Sequence, residues 1–487
     1  MQALFLALLV VLFLLTRYSS PGWLAGLFFR IDPLILLVTG IAQRVLLVGL
    51  LPGLAVVVGT LVFGRYFCGW VCPLGTMVDV ADSVIPHRRQ AISIPNGKYV
   101  VLLFLVSSAI LRASFLHFFD PLVIMERTLA LVAYPSVGYL GGWLGSIRPA
   151  AFTETVIAAG TFVLILGLGY FGTRFWCRNL CPLAGLLALF SKLAPFRFRF
   201  TEAECRDCGL CDKACPTGAI DSSQSKLDPG ECIACFACRY ECPDAGIRYG
   251  RDPKPAPIDI GRRQALAAIG SALVAAPLAR AFVHPKLSGR LIRPPGSIPE
   301  PEFLNRCLHC GMCMKVCPTN GLQPCLFEAG LNGLWTPKLV PRIGGCEKNC
   351  NMCGQVCPTS AIRRLGLEEK TFARMGTAVV DRRRCIAWEQ DKSCLICDEA
   401  CPFDAITIAG VPGEQVNGPV VDEEICVGCG LCEARCPIEG PSAIQVWSIG
   451  EERKRTGSYI TAQKRSRREC GSQKTEELPS GFILDDN

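Results

Sequence analysis

The sequence predicts a multi-domain protein: an all-α polytopic membrane domain of about four helices, an α+β bacterial-type 2[4Fe–4S] ferredoxin domain, and a second, four-cluster ferredoxin-like domain. Three observations predict it. Long charge-free apolar runs fill the first 180 residues, and polar sequence dominates after residue 200. Twenty-four of the 30 cysteines fall into six quartets, each ending in Cys-Pro. The apolar part carries the motif C-x3-C-P twice.

A chain of 487 residues holds about three domains. Its 50% hydrophobic residues are so unevenly spread that one soluble domain is excluded. A small disulfide-stapled secreted protein is excluded as well. The net charge of +8 would suit nucleic acid, but no basic stripe is interleaved with aromatics. Lys and Arg cluster beside apolar runs instead, where they set membrane orientation.

Residues 1–200 form the expected membrane domain. Ala3–Leu15, Val45–Phe63, Tyr99–Phe119 (interrupted only by Arg112) and Thr155–Trp176 read as spans. The domain repeats internally. Phe63-Gly-Arg-Tyr-Phe-Cys68-Gly-Trp-Val-Cys72-Pro matches Phe171-Gly-Thr-Arg-Phe-Trp-Cys177-Arg-Asn-Leu-Cys181-Pro, and Asp32-Pro33-Leu34 echoes Asp120-Pro121-Leu122. This gives two helix hairpins in one orientation, with both C-x3-C-P motifs on one side. Arg65, His87, Arg88, Arg89 and Lys98 flank the second span; Arg174, Arg178, Lys192, Arg197 and Arg199 flank the fourth. These charges place that side in the cytoplasm. Cys68, Cys72, Cys177 and Cys181 suit dithiol–disulfide pairs, a metal or a cluster, or a plain helix boundary; their duplication favours function.

The quartets are iron–sulfur ligands. Cys205, Cys208, Cys211, Cys215 and Cys232, Cys235, Cys238, Cys242 make up residues 201–250. Cys307, Cys310, Cys313, Cys317, then Cys346, Cys350, Cys353, Cys357, then Cys385, Cys394, Cys397, Cys401, then Cys426, Cys429, Cys432, Cys436 occupy residues 302–450. Three close thiolates wrap one cube while the fourth crosses to its neighbour, so motifs come in pairs. Cys205, Cys208 and Cys211 thus go with Cys242, and Cys232, Cys235 and Cys238 with Cys215. Zinc would use two separated C-x2-C pairs, often with His. Six [4Fe–4S] clusters are expected. No C-x-x-C-H occurs, so no haem c is expected. Gly167-Leu-Gly169-Tyr-Phe-Gly172 fits a dinucleotide fingerprint but ends a span, so no nucleotide is expected. His309 reads as a tuning donor or a solvated residue, Cys325 as buried, and Cys470 lies in the tail.

Residues 251–301 read as a linker with a twin-arginine signal or anchor, Arg262-Arg263 before an Ala/Gly-rich apolar stretch. Ala279-Arg-Ala281 is a possible cleavage site, and His284–Pro301 is Pro/Gly-rich. Residues 451–487 read as a polar, extended or partly disordered tail. A quinol site needs a proton acceptor; Asp32, Arg44, Arg112, His117, Asp120 and Glu126 are the candidates. For Asp32 and Asp120 the competing reading is turn capping before Pro.

These motifs carry a family likeness. Met1 to about Arg251 resembles the NapH-type membrane iron–sulfur subunit of the periplasmic nitrate reductase system, on its spans, two C-x3-C-P motifs and two quartets. Ile258 to Trp447 resembles its exported NapG/MauM-type partner, on the twin-Arg segment, CLHCGMCMKVCPTNGLQP, LWTPKL and CEKNCNMCGQVCPTSAI. Fusion of the two in one chain is the departure. The resemblance implies a quinol dehydrogenase-type oxidoreductase of the bacterial inner membrane. It would take electrons from the membrane quinol pool, with the first ferredoxin domain cytoplasmic and the second periplasmic. The acceptor would be a periplasmic reductase, such as nitrate reductase, or a c-type cytochrome. Analogy with other four-cluster subunits favours nested pairing in the second domain, first quartet with last and the middle two together; simple sequential pairing is the alternative. Two other readings stand beside this: an electron-delivering maturation factor for a periplasmic metalloenzyme, and outward transfer from a cytoplasmic donor.

Overall fold

The computed structural model describes residues 1–16, 26–45, 47–86, 94, 96–143, 152, 155–200, 205, 208–221, 226–243, 246–251, 261–281, 289–410 and 417–466. His87, Arg88, Arg89 and Cys470 lie outside them.

The amino-terminal part is helical, but its helices are short. Among the described residues no helix is long and apolar enough to cross a membrane, which overturns the polytopic membrane domain. The apolar runs are broken by local backbone chemistry. Ala3–Leu15 falls in the helix Gln2–Leu15 of 14 residues. Pro52 divides the run of Val45–Phe63 into a 3-10 turn, Val48–Leu50, and a helix of 11 residues, Gly53–Phe63. The run of Tyr99–Phe119 stops at Arg112, whose φ is 57°, leaving Gly97–Ile110 and the single turn Leu116–Phe119. Thr155–Trp176 breaks after Gly167 into a 3-10 turn. At the α-helical rise, 14 residues reach about 21 Å, against a hydrocarbon core of about 30 Å. The longest helix, Arg262–Ala281, has 20 residues and packs along Gly97–Ile110, but it carries three arginines and Pro277. Arg262 and Arg263 are exposed in its first turn.

The internal repeat survives this correction. Asp32 and Asp120 each cap a helix, Pro33–Gln43 and Pro121–Thr128, with Pro in the first turn. Cys72 and Cys181 occupy the same place before Pro73–Val84 and Pro182–Ser191. Proline has no N–H to lose there and its φ is already helical.

Both iron–sulfur modules pack against this helical unit. In the first, Phe196–Phe200 pairs antiparallel with Ile247–Arg251, and Ile220–Asp221 with Lys226–Leu227. The second holds three antiparallel pairs: Leu322–Pro324 with Pro337–Leu339, Thr377–Val380 with Ile444–Trp447, and Ile406–Gly410 with Asn417–Val421. The apolar core of the helical unit runs on without a break into Leu308, Met312, Val316, Met352 and Val356 of the second module and Ile233 of the first. Several apolar side chains of the helical unit face outward, among them Leu4, Leu8, Val11, Leu54, Val58, Val163 and Leu164.

Two segments read as loose from sequence are docked. Within the expected linker, Leu291, Ile292, Arg293, Ser297 and Ile298 are buried, and Ile292 and Ser297 bridge to Leu339 and Ile362. Arg293 holds this segment down by pairing with Glu300 at 2.5 Å and donating to Pro337 O at 2.8 Å. Within the expected polar tail, Tyr459 is fully buried against Leu365, Phe372 and Ala373. Its hydroxyl accepts from the Lys454 N–H at 3.0 Å.

Tyr459 therefore anchors the tail as far as residue 466. Tyr459→Ala should cost about 3 kcal/mol, by analogy with buried aromatic truncations, and Tyr459→Phe about 1 kcal/mol for the lost hydrogen bond. A denaturant series on the full chain reads both, and no change in either variant would mean an undocked tail.

Candidate iron–sulfur and proton-accepting sites

Each Cys-Pro turn feeds a short extended segment, which brings its fourth cysteine back across the module. Cys307, Cys310 and Cys313 converge with Cys357 around a small apolar cavity. Cys346, Cys350 and Cys353 lie against Cys317. Cys426, Cys429 and Cys432 enclose a cavity with Cys401, and Cys385, Cys394 and Cys397 one with Cys436. The pairing is therefore sequential, first with second and third with fourth, which corrects the nested arrangement. The two pairs are joined directly, because the Cys346 N–H donates to Cys429 O at 2.7 Å. In the first module Cys232, Cys235 and Cys238 gather with Cys215. Cys205 neighbours Cys211, Cys208 is exposed and Cys242 is half-buried.

These sets fit iron–sulfur clusters in kind. The cavities are walled by apolar side chains, and backbone N–H groups point at sulfur. His309 donates to Cys307 Sγ at 3.4 Å, Ala219 to Cys215 Sγ at 3.2 Å, Ile362 to Cys357 Sγ at 3.5 Å and Ala405 to Cys401 Sγ at 3.4 Å. Such donors favour thiolate and tune cluster potential. Among the described residues no three Cys, His, Asp or Glu side chains stand at single-ion spacing.

The second site is a buried acid pair. Asp32 Oδ1 accepts from the Leu34 and Ile35 N–H groups at 2.7 and 3.3 Å. Asp120 Oδ1 accepts from Leu122 and Val123 at 3.0 and 2.9 Å. Capping is thus what both do with one oxygen. Their Oδ2 atoms are buried without a donor from elsewhere, and the two carboxyls face each other. Burial raises the proton affinity of both, and the Asp120 charge raises Asp32 further. Two carboxylates this close share one proton.

The acid pair lies at the end of the helical unit that meets the second module. There the His117 ring stacks on His309, with centroids 3.8 Å apart and planes within 8°. Arg127 lies over Trp335 at 3.7 Å and donates to His117 O at 2.9 Å. His309 Nδ1 sits 2.5 Å from Leu334 O, and burial pushes its affinity down to about 3, so the ring is neutral. Glu126 is buried nearby, raised by burial to about 7 although Lys315 opposes the shift. Lys315 itself crosses to Phe13 O and, at 2.9 Å, Thr16 O. Of the quinol candidates, Asp32 and Asp120 form the pair, His117 stacks on His309, and Glu126 lies within electrostatic reach of Lys315 and Cys310. Arg112 closes the helix Gly97–Ile110 and Arg44 the helix Pro33–Gln43, both with positive φ.

At the opposite end the C-x3-C-P motifs meet the first module. Arg65 donates to Gly230 O at 2.6 Å, Lys98 pairs with Glu231 at 2.5 Å and Trp70 donates to Ala234 O at 2.8 Å. Arg65, Lys98 and Arg174 are all about 1% exposed. Arg65 and Lys98, counted from sequence as orientation signals, thus bridge to the first module, while Arg174 pairs with Asp79 inside the helical unit. The roles of Trp335, Lys315 and Arg127 were not read from sequence; for Trp335 and Lys315 the available signal was a Trp or a cation inside a quartet-rich stretch, and for Arg127 a cation in an apolar run.

Thiol sets of this kind define an iron–sulfur electron-transfer protein with several [4Fe–4S] ferredoxin units. A 4Fe-4S binding domain model matches residues 45–94 and 155–201, and 4Fe-4S dicluster domain models match 197–243, 231–322 and 392–439. The chain is 37% identical over 166 residues to the methylamine utilization ferredoxin-type protein MauM of Paracoccus denitrificans, covering 33% of this chain and 72% of MauM. It is 35% identical over 164 residues to the ferredoxin-type protein NapG of Escherichia coli, 32% of this chain and 71% of NapG. The chain belongs to the family of ferredoxin-type proteins that includes MauM and NapG. It is also 30% identical over 243 residues to the protein NirI of Paracoccus denitrificans, 49% of this chain but 31% of NirI, so it spans about a third of that relative.

Two outcomes follow. Cys357→Ser should disturb the EPR signal of the cluster on Cys307, Cys310 and Cys313, whereas under nested pairing Cys436→Ser would do so. Asp32→Asn keeps a capping oxygen and removes the shared proton. The wild-type pair binds protons more tightly folded than unfolded, so its contribution to stability is fully present below about 4 and is lost as pH rises through about 6. Asp32→Asn should flatten stability across that window in a pH series of denaturant melts; an unchanged slope would sink the shared proton.

Proposed function

We propose that the chain oxidises a quinol and delivers its electrons singly to an acceptor protein, a periplasmic reductase or a c-type cytochrome. The observation that carries this is buried acid close to the thiols: Glu126 within electrostatic reach of Cys310, and the Asp32–Asp120 pair at the start of the helix that carries Glu126. Quinol oxidation breaks two O–H bonds and releases two protons and two electrons. Glu126, held near 7, can take a proton at neutral pH, and the Asp32–Asp120 pair can take another. His309, stacked on His117, lines the Cys307–Cys310 cavity. Clusters on the six quartets would supply one-electron carriers.

The arrangement of thiols supports one direction of exit. The second module runs from the Cys307 set, against the helical unit, through the Cys346 and Cys426 sets to the Cys385 set, where Leu395 and Ile396 are exposed. The outward-facing apolar residues of the helical unit suit a lipid-soluble donor. The proposal locates the chain at the bacterial inner membrane, with the second module toward the periplasm.

The test is anaerobic addition of a quinol analogue to the full chain, followed by EPR. Cluster reduction is expected, and Glu126→Gln should slow it by about 10²-fold, a typical general-base contribution. Reduction only by a soluble low-potential protein donor would overturn the reading and place electron entry at the first module.

A further inference from the structure

The four cysteines of the two C-x3-C-P motifs belong to none of the six quartets. The two segments matched by the 4Fe-4S binding domain model contain one such pair each, Cys68 and Cys72 in one, Cys177 and Cys181 in the other. Two thiolates do not complete an iron–sulfur cluster; four do.

The structure brings the halves together in matching geometry. Cys72 and Cys181 have nearly the same backbone, φ −65° and ψ 114° against φ −69° and ψ 113°. In each repeat the second cysteine's N–H skips back five residues, to Phe67 O and to Trp176 O, both at 2.9 Å. These wide turns aim both cysteines of a motif inward, and such turns recur at functional sites. Each second thiol faces the N–H three residues on, Gly75 for Cys72 and Ala184 for Cys181. Cys72 lies within electrostatic reach of Cys68 and Cys177, and Cys181 within reach of the other three. Cys68, Cys72 and Cys181 are buried and Cys177 is half-buried.

Charge is provided for. Arg65 lies beside Cys68, and Arg174 donates to Cys68 O at 3.3 Å. Asp79 grips Arg174 through both oxygens, one bond at 2.5 Å. Two buried guanidiniums offset the negative charge that four thiolates and a cluster carry together. Gly69 completes the fit, because any Cβ there would meet Ile233 O at 2.2 Å, so the loop lies flat on the Cys232–Cys238 segment.

We infer that Cys68, Cys72, Cys177 and Cys181 jointly hold one further iron–sulfur cluster, shared between the two repeats and adjoining the first ferredoxin module. Burial supports this against a dithiol switch. Cys68, Cys72 and Cys181 are closed off from solvent and Cys177 is half-buried, so an exchange partner has poor access to them.

The experiment is iron and acid-labile sulfide analysis of the full chain, purified and reconstituted anaerobically, against Cys72→Ser/Cys181→Ser. The variant should lose two or four irons with matching sulfide, and one EPR or Mössbauer component. Which loss is seen gives the nuclearity. Unchanged iron, or one zinc per chain lost instead, would overturn the inference. Alkylation mapped by mass spectrometry on wild-type protein guards against a variant that fails to fold. The four cysteines should be shielded while iron is present and modified after chelation. A link that survives chelation and opens with reductant is a disulfide, and refutes the cluster. None of these readouts needs quinol, so the proposed function can fail while this site stands.

Discussion

Buried cations reaching across module boundaries fix where the thiol groups stand relative to one another. Arg65 and Lys98 leave the helical unit for Gly230 and Glu231 of the first module. Lys315 leaves the second module for the end of the Gln2–Leu15 helix. A buried charge without a partner is expensive, so each of these contacts holds its module to one position. The apolar core that runs between them adds burial, which is non-directional and would tolerate sliding; the charged contacts do not. Sites at both ends of the helical unit depend on this.

The spacing of the quartets made the iron–sulfur units legible, because a cube dictates which sulfurs come close in sequence. Asp-Pro read as a turn cap and the Cys-Pro of the apolar part as one option, a helix boundary; both start helices, and Pro33, Pro121, Pro73 and Pro182 each occupy a first turn. What hydropathy missed was the interruption of apolar runs. Pro52, the positive φ of Arg112 and the turn after Gly167 cut each run below bilayer length, and a window average is blind to them. Charge counting did not reveal that Arg65, Lys98 and Arg174 are buried on partners far away in the chain. The pairing of quartets in the second module failed likewise, since it depends on which fourth cysteine folds back, a tertiary fact.

The acid site was half legible. Asp32 and Asp120 each looked like caps, and each is one. That they face each other follows only from packing the two repeats. An internal duplication thus does something that one copy cannot: it turns two ordinary capping residues into a proton-sharing pair, and it sets one cysteine motif against its twin.

Arg174 sits between two groups of sulfur, felt by Cys177 and Cys181's neighbours on one side and by Cys235 on the other. Its positive charge acts on both groups at once and eases negative charge at each, falling off with distance. Removing that one side chain would therefore be felt in two modules together, a joint effect that resides in one side chain's position.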